Sequence, residues 1–153
     1  MPGLEDLYKE IILDHYRNPR NKGSLETPPA IMAEGFNPLC GDEVKVFVLL
    51  DNDLIQEIRI DGQGCSISQS SASMMTQALL GKTLEEAKQT SERFKEMMSI
   101  HEKNLESSSE TMKQTEMPLG DLEALQGVVN FPVRIKCATL GWNTFNQIVE
   151  EKI

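Results

Sequence analysis

Ile58-Arg59-Ile60-Asp61-Gly62-Gln63-Gly64-Cys65-Ser66 is the stretch from which the rest of the chain can be read. Ile58 and Ile60 alternate with Arg59 and Asp61, the period of a strand with one buried face. Gly62 and Gly64 then let the chain reverse tightly and pass close to another group, because they carry no Cβ. The turn delivers a cysteine, and Ser66, Ser68, Ser70 and Ser71 supply small hydroxyls favoured at a helix start. Ile67, Ser71, Met74, Met75, Ala78 and Leu79 recur at helical spacing. Cys65 is thereby placed near a helix N-terminus, where the macrodipole favours a thiolate. A small buried cysteine at a turn gives the same local pattern.

Upstream, Val44, Val46 and Val48 alternate with Lys45 and Phe47 and predict a strand. Asp51-Asn52-Asp53 reads as a hairpin turn. Ile55, Ile58 and Ile60 belong to the returning strand, and the slip in their alternation predicts a bulge. Ile31-Met32-Ala33-Glu34-Gly35-Phe36 is a candidate edge strand. Cys40 leads into the first strand of the hairpin and Cys65 follows the second, so an antiparallel pair brings those ends side by side.

Leu4, Leu7, Tyr8, Ile11, Ile12 and His15 mark an amphipathic first helix that ends before Pro19. His15 reads as a helix-end residue, hydrogen-bonded or solvated, rather than a ligand. Arg17, Arg20 and Lys22 form a basic turn region, either solvated or a docking patch. Downstream of Cys65, Gly81 is a candidate helix C-cap, and Thr83-Leu84-Glu85-Glu86 starts another helix that buries Leu84, Ala87 and Phe94. From Ser91 to Met117 the sequence turns polar, with a serine run at 107–109. It predicts a partly helical insertion at about 92–118 with a mobile tip, and little core contact between about Ser99 and Met117. His101 in that segment reads as solvated. Met97, Met98, Met112 and Met117 lack ligand spacing and read as packing residues. Leu119, Leu122, Leu125 and Val128 predict a short helix closed by Gly127. Phe131-Pro132-Val133-Arg134-Ile135-Lys136-Cys137 reads as an extended approach, with Arg134 and Lys136 on one side. Ala138, Trp142, Phe145, Ile148 and Val149 then give a last helix, with Cys137 near its start.

The chain has 153 residues, enough for one domain over 1–153 with a sizeable core. Its net charge of −9 argues against nucleic acid or an anionic membrane as partner. No apolar run is long enough to span a bilayer, and the acidic Met1-Pro2-Gly3-Leu4-Glu5-Asp6 start lacks a signal-peptide core. A cytoplasmic protein is expected. Its 3 cysteines cannot all pair with one another, and in a reducing compartment they read as metal ligands or reactive thiols.

Gly41 allows a sharp turn between Cys40 and Asp42, so a thiolate and a carboxylate can reach one ion. Cys65 and Cys137 complete a set of three sulfurs and one oxygen, of the kinds that a tetrahedral zinc site uses. Soft thiolates suit iron–sulfur clusters as well. Asp42 could equally cap its own turn. Arg134 and Lys136 either favour a thiolate at Cys137 or are plain surface charges.

Tyr8 to Gly23, the Cys40-Gly41-Asp42 loop, the Gly62 to Ser66 turn and Phe131 to Trp142 together resemble the IscU/NifU-N family of iron–sulfur cluster assembly proteins. The resemblance is nearest to the SufU branch, on the extra segment before the third cysteine and on the sequence from Phe131 to Cys137. Lys136 stands where the scaffold branch usually carries a histidine, which counts against a pure scaffold role. The resemblance implies an α+β fold, a small antiparallel β-sheet of about three strands with several helices on one face. It implies a zinc ion held by Cys40, Asp42, Cys65 and Cys137. It implies a pyridoxal-phosphate cysteine desulfurase of the SufS type as partner, with downstream iron–sulfur assembly proteins beyond it. The expected activity is zinc-dependent sulfur transfer, with Cys40 accepting persulfide sulfur. The alternatives are a scaffold for a labile [2Fe–2S] cluster on the same four residues, or a fold that zinc merely staples.

Overall fold

Three strands form an antiparallel sheet in the order β1-β2-β3: β1 (Ile31–Asn37), β2 (Asp42–Asp51) and β3 (Leu54–Gln63). The computed structural model from which they are described covers residues 2–27, 29–38, 41–98, 122, 124–125 and 132–152. Cys40, His101, Met112, Met117, Leu119, Gly127, Val128 and most of the polar insertion lie outside the described residues. Alternation decides which way the sheet faces. Ala33, Val46 and Ile60 align across the three strands, as do Ile31, Val48 and Ile58. All of these are buried except Ile31, which is half-buried. Met32, Glu34, Phe36, Glu43 and Lys45 point the other way and are exposed.

Asn52 (φ 52°) and Asp53 (φ 70°) both adopt the left-handed conformation at the hairpin turn between β2 and β3, which matches the right-handed twist of paired strands. The expected bulge is present: the register slips between Leu49 and Leu50 and leaves Gln56 as the extra residue of β3. β1 lies at one edge, as expected. The other edge is covered. Gly23 N donates to Ile60 O (2.9 Å) and Ile60 N donates to Asn21 O (3.0 Å). The basic turn is therefore stitched along β3 rather than standing in solvent. Its Arg20 reaches back to Asp14 (2.6 Å), and that guanidinium holds the Asp14 carboxyl below the usual carboxylate range.

The helices are α1 (Pro2–Arg17), α2 (Ser66–Leu79), α3 (Leu84–Met98) and α4 (Pro132–Lys152). α4 lies against β1 and β2, α2 against β3, and α1 against α2. The small residues of α2 make it the hub. Ser73 Oγ accepts from Arg20 N (2.9 Å) and lies 2.8 Å from His15 Nδ1. Thr76 Oγ1 accepts from Asn21 Nδ2 (3.0 Å), and Ser71 Oγ accepts from Trp142 Nε1 (3.3 Å). Hydroxyls thus link both neighbouring helices to α2 inside the core. His15 is fully buried and hydrogen-bonded, so the solvated alternative fails.

Thr83 and Glu86 close a reciprocal cap on α3: Thr83 N donates to Glu86 Oε1 (3.0 Å) and Glu86 N to Thr83 Oγ1 (3.1 Å). α3 runs to Met98, which is buried, and its Phe94 stacks on Trp142 with centroids 4.7 Å apart. Residues 92–98, read as the start of the insertion, therefore belong to a packed helix. Leu122, Ala124 and Leu125 are buried as well.

One sequence reading is overturned at α4. The helix begins at Pro132, a residue suited to a first helical turn, so the segment entering Cys137 is helical rather than extended. Arg134 and Lys136 are exposed, and two positions on a helix diverge by about 200°. They do not share a side. No described helix is long and apolar enough to cross a membrane.

Candidate metal centre

Asp42 opens β2 and faces Asn37, the last residue of β1. Its side chain points to the buried side of the sheet and is 1% exposed. An ionised carboxylate in such a place needs donors or a cation. Cys65 N supplies one hydrogen bond to Oδ1 (2.9 Å), and Asn37 Nδ2 supplies another to Oδ2 (3.3 Å). The carboxylate does not cap its own turn; it receives the chain that returns from β3. Gly64 makes this approach feasible. It has a φ of +157°, and a Cβ there would lie 3.0 Å from both Cα and Cγ of Asp42.

Cys65 is the N-cap residue of α2, with φ −72° and ψ 167°. Its sulfur occupies the place of a capping oxygen and accepts from Ser68 N (3.4 Å). The helix-terminal position read from the sequence is thus confirmed. Cys137 is placed differently from expectation. It sits in the second turn of α4 and is fully buried. What carries it to the site is the closeness of α4 to β1. At Gly35 an added Cβ would strike the Thr144 hydroxyl and come within 3.1 Å of Leu140 Cδ1.

These placements bring Asp42, Cys65 and Cys137 together, with ligand atoms all within 4.8 Å of one another. Cys65 Sγ is 4.0 Å from Asp42 Oδ2. Two thiols and a carboxylate are donors that a tetrahedral zinc site accepts, and a fourth ligand completes it. Asp42 and Cys137 are buried and Cys65 is half-buried, and N–H groups already face the ligand atoms, so these residues fit a resident divalent ion. Cys40, the expected fourth ligand, lies outside the described residues. Its neighbour Gly41 has φ +70° and open space around it. Arg134 and Lys136 line opposite sides of a helix and do not form the paired charge expected beside Cys137.

Asn37 is the site residue that sequence reasoning missed. It is 6% exposed, and its Nδ2 lies 3.4 Å from Cys137 Sγ as well as close to Asp42. The available signal was its position, an asparagine at a strand end facing a candidate ligand across the hairpin.

Comparison with known proteins agrees with this geometry. The profile of the NifU-like N-terminal domain matches residues 7–138. The zinc-dependent sulfurtransferase SufU of Bacillus subtilis (strain 168) is 44% identical over 149 residues, covering 97% of this chain and 93% of that protein. The iron-sulfur cluster assembly scaffold protein IscU of Streptococcus pyogenes serotype M1 is 39% identical over 147 residues, covering 96% and 85%. Among solved structures, a putative iron-sulfur cluster assembly scaffold protein for the SUF system from Fervidobacterium islandicum AW-1 superposes with a TM-score of 0.73. It is 32% identical, covering 90% of this chain and 92% of that one.

Proposed function

The chain belongs to the NifU-like N-terminal domain family, and from that premise we propose that it serves iron–sulfur cluster assembly as a zinc-dependent sulfurtransferase. The observation that carries this reading is the convergence of Asp42, Cys65 and Cys137 in a chain 44% identical to a zinc-dependent sulfurtransferase. Zinc would be held by those three residues and Cys40. It would keep the thiolates ordered without redox chemistry of its own.

The partner is a pyridoxal-phosphate cysteine desulfurase carrying a cysteine persulfide, acting in the cytoplasm. The Cys40 thiolate attacks the outer sulfur of that persulfide. The partner's S–S bond breaks, its electron pair leaves on the partner's cysteine, and a new S–S bond leaves Cys40 as the persulfide. A thiol reductant or a downstream assembly protein then takes the sulfur. Cys40 is assigned this role because the other two sulfurs are fixed, Cys65 as a helix cap and Cys137 inside α4. Gly41 beside it has a φ of +70°, with open space where a Cβ would stand.

The test adds this protein to the desulfurase with cysteine and a reductant. Turnover is expected to rise, and Cys40→Ala should abolish the rise while circular dichroism stays unchanged. Mass spectrometry should find the extra sulfur on Cys40. Sulfur found solely on Cys137, with the Cys40 variant still active, rejects the assignment. A second reading, a scaffold for a [2Fe–2S] cluster, is favoured by the 39% identity to a protein of that description. Metal analysis of protein purified without oxygen separates the two: one zinc per chain supports sulfur transfer, while iron with acid-labile sulfide supports the scaffold.

A further inference from the structure

We infer that Asn37 is a positioning residue of this centre. Its carboxamide N–H groups hold the Asp42 carboxylate and the Cys137 thiolate in ligating orientation and so set how tightly the chain keeps its metal. The inference rests on the zinc reading above and concerns a residue outside the ligand set.

The three described ligands each need a donor. Two anions of like charge placed this close repel one another, and burial removes the water that would screen them. Asp42 takes the backbone N–H of Cys65, and Cys65 takes the backbone N–H of Ser68. Both donors exist because Cys65 stands at a helix start, where N–H groups have no partner in the helix ladder. Cys137 lies in the second turn of α4, where its own backbone N–H is engaged in that ladder. A side chain answers the need. Asn37 Nδ2 reaches Cys137 Sγ at 3.4 Å and Asp42 Oδ2 at 3.3 Å. An amide NH₂ has two donors, one for each anion.

A turn-forming asparagine would direct its oxygen to its own backbone two residues on. Here the amide nitrogen instead addresses residues 5 and 100 positions away. Asn37 also stands where β1 ends and the loop bearing Cys40 begins. The strand register, Asn37 opposite Asp42, fixes the base of that loop. The Asp42, Cys65 and Cys137 part of the site is then held from the β1 side whatever Cys40 does.

The test measures zinc affinity of Asn37→Leu and Asn37→Ala by competition with a chromogenic chelator, beside the unaltered protein. The expected loss is about 10–100-fold, the range seen when groups that orient metal ligands are removed. The thiolate-to-metal absorption of the cobalt-substituted variants should shift, while the melting midpoint of the metal-free chain should hardly move. A purely structural role would reverse that pattern: a lower midpoint for the metal-free protein and unchanged affinity of the folded fraction. That result overturns the inference. Should both variants fail to fold, the unaltered protein loaded with NMR-active cadmium decides. A scalar coupling from the metal through sulfur to an Asn37 side-chain amide proton supports the inference, and its absence overturns it. An unaltered protein that binds no zinc removes the zinc reading and this inference together. One that binds zinc as tightly as its variants do removes the inference alone.

Discussion

Gly64 carries no side chain, and the space one would need is taken by the Asp42 carboxylate. Gly64→Ala should therefore act on the site twice. It forces a φ of +157° on a residue that resists it and presses a methyl group against the Asp42 side chain. The expected cost is about 1–3 kcal/mol of stability, read by chemical denaturation, with weaker zinc retention in the chelator competition. Unchanged zinc affinity would show that Asp42 can move aside. Gly64 and Cys65 were legible in the sequence because a glycine-rich turn that ends in cysteine restricts the backbone on its own. Asn37 was not. A carboxamide before Pro38 looks like an ordinary turn residue, and its two partners are set by tertiary packing, one of them 100 residues away.

At the scale of the element, α3 and α4 respond to different forces. The start of α3 is fixed locally by the Thr83–Glu86 cap, and a pattern of that kind can be read in four residues. Thr83→Ala should lower stability by about 0.5–2 kcal/mol and leave metal affinity alone, since the cap is exposed and on a different helix from any ligand. The start of α4 was misread because Val133, Ile135 and Cys137 alternate with Arg134 and Lys136. Over so short a run a period of two cannot be told from the first turns of a helix. α4 is also the element whose position the site depends on most. Gly35→Ala would push the helix off β1 at Thr144 and Leu140, at a cost of about 1–3 kcal/mol for overpacking. Because α4 carries Cys137, zinc binding should weaken along with stability. Measuring both on one sample checks the coupling: a lowered melting midpoint with full zinc affinity would mean that α4 shifts without displacing its sulfur.

On the scale of the whole molecule, strand alternation and helix periods identified the separate strands and helices, the family resemblance implied their α+β arrangement, and the three segments bearing candidate ligands could be recognised separately. The serine-lined interior of α2, which is hydrogen-bonded to α1 and α4, could not be foreseen from a pattern that equally describes a polar helix surface. A metal that binds the native arrangement stabilises it by mass action. With free zinc at a hundred times the dissociation constant the gain is about 2.7 kcal/mol. The melting midpoint should rise with added zinc and fall with a chelator, and a midpoint indifferent to zinc in a protein that retains it would refute binding selective for the folded form. The wide spacing of the ligands has a consequence for the newly made chain. Asn37 and Cys137 are 100 residues apart, which at synthesis rates of about 5–20 residues per second separates their emergence from the ribosome by roughly 5–20 s. Through most of that interval Asp42 and Cys65 are already made while the last sulfur is not. A nascent chain can thus offer a metal only part of the candidate set, which is completed when α4 closes over the sheet.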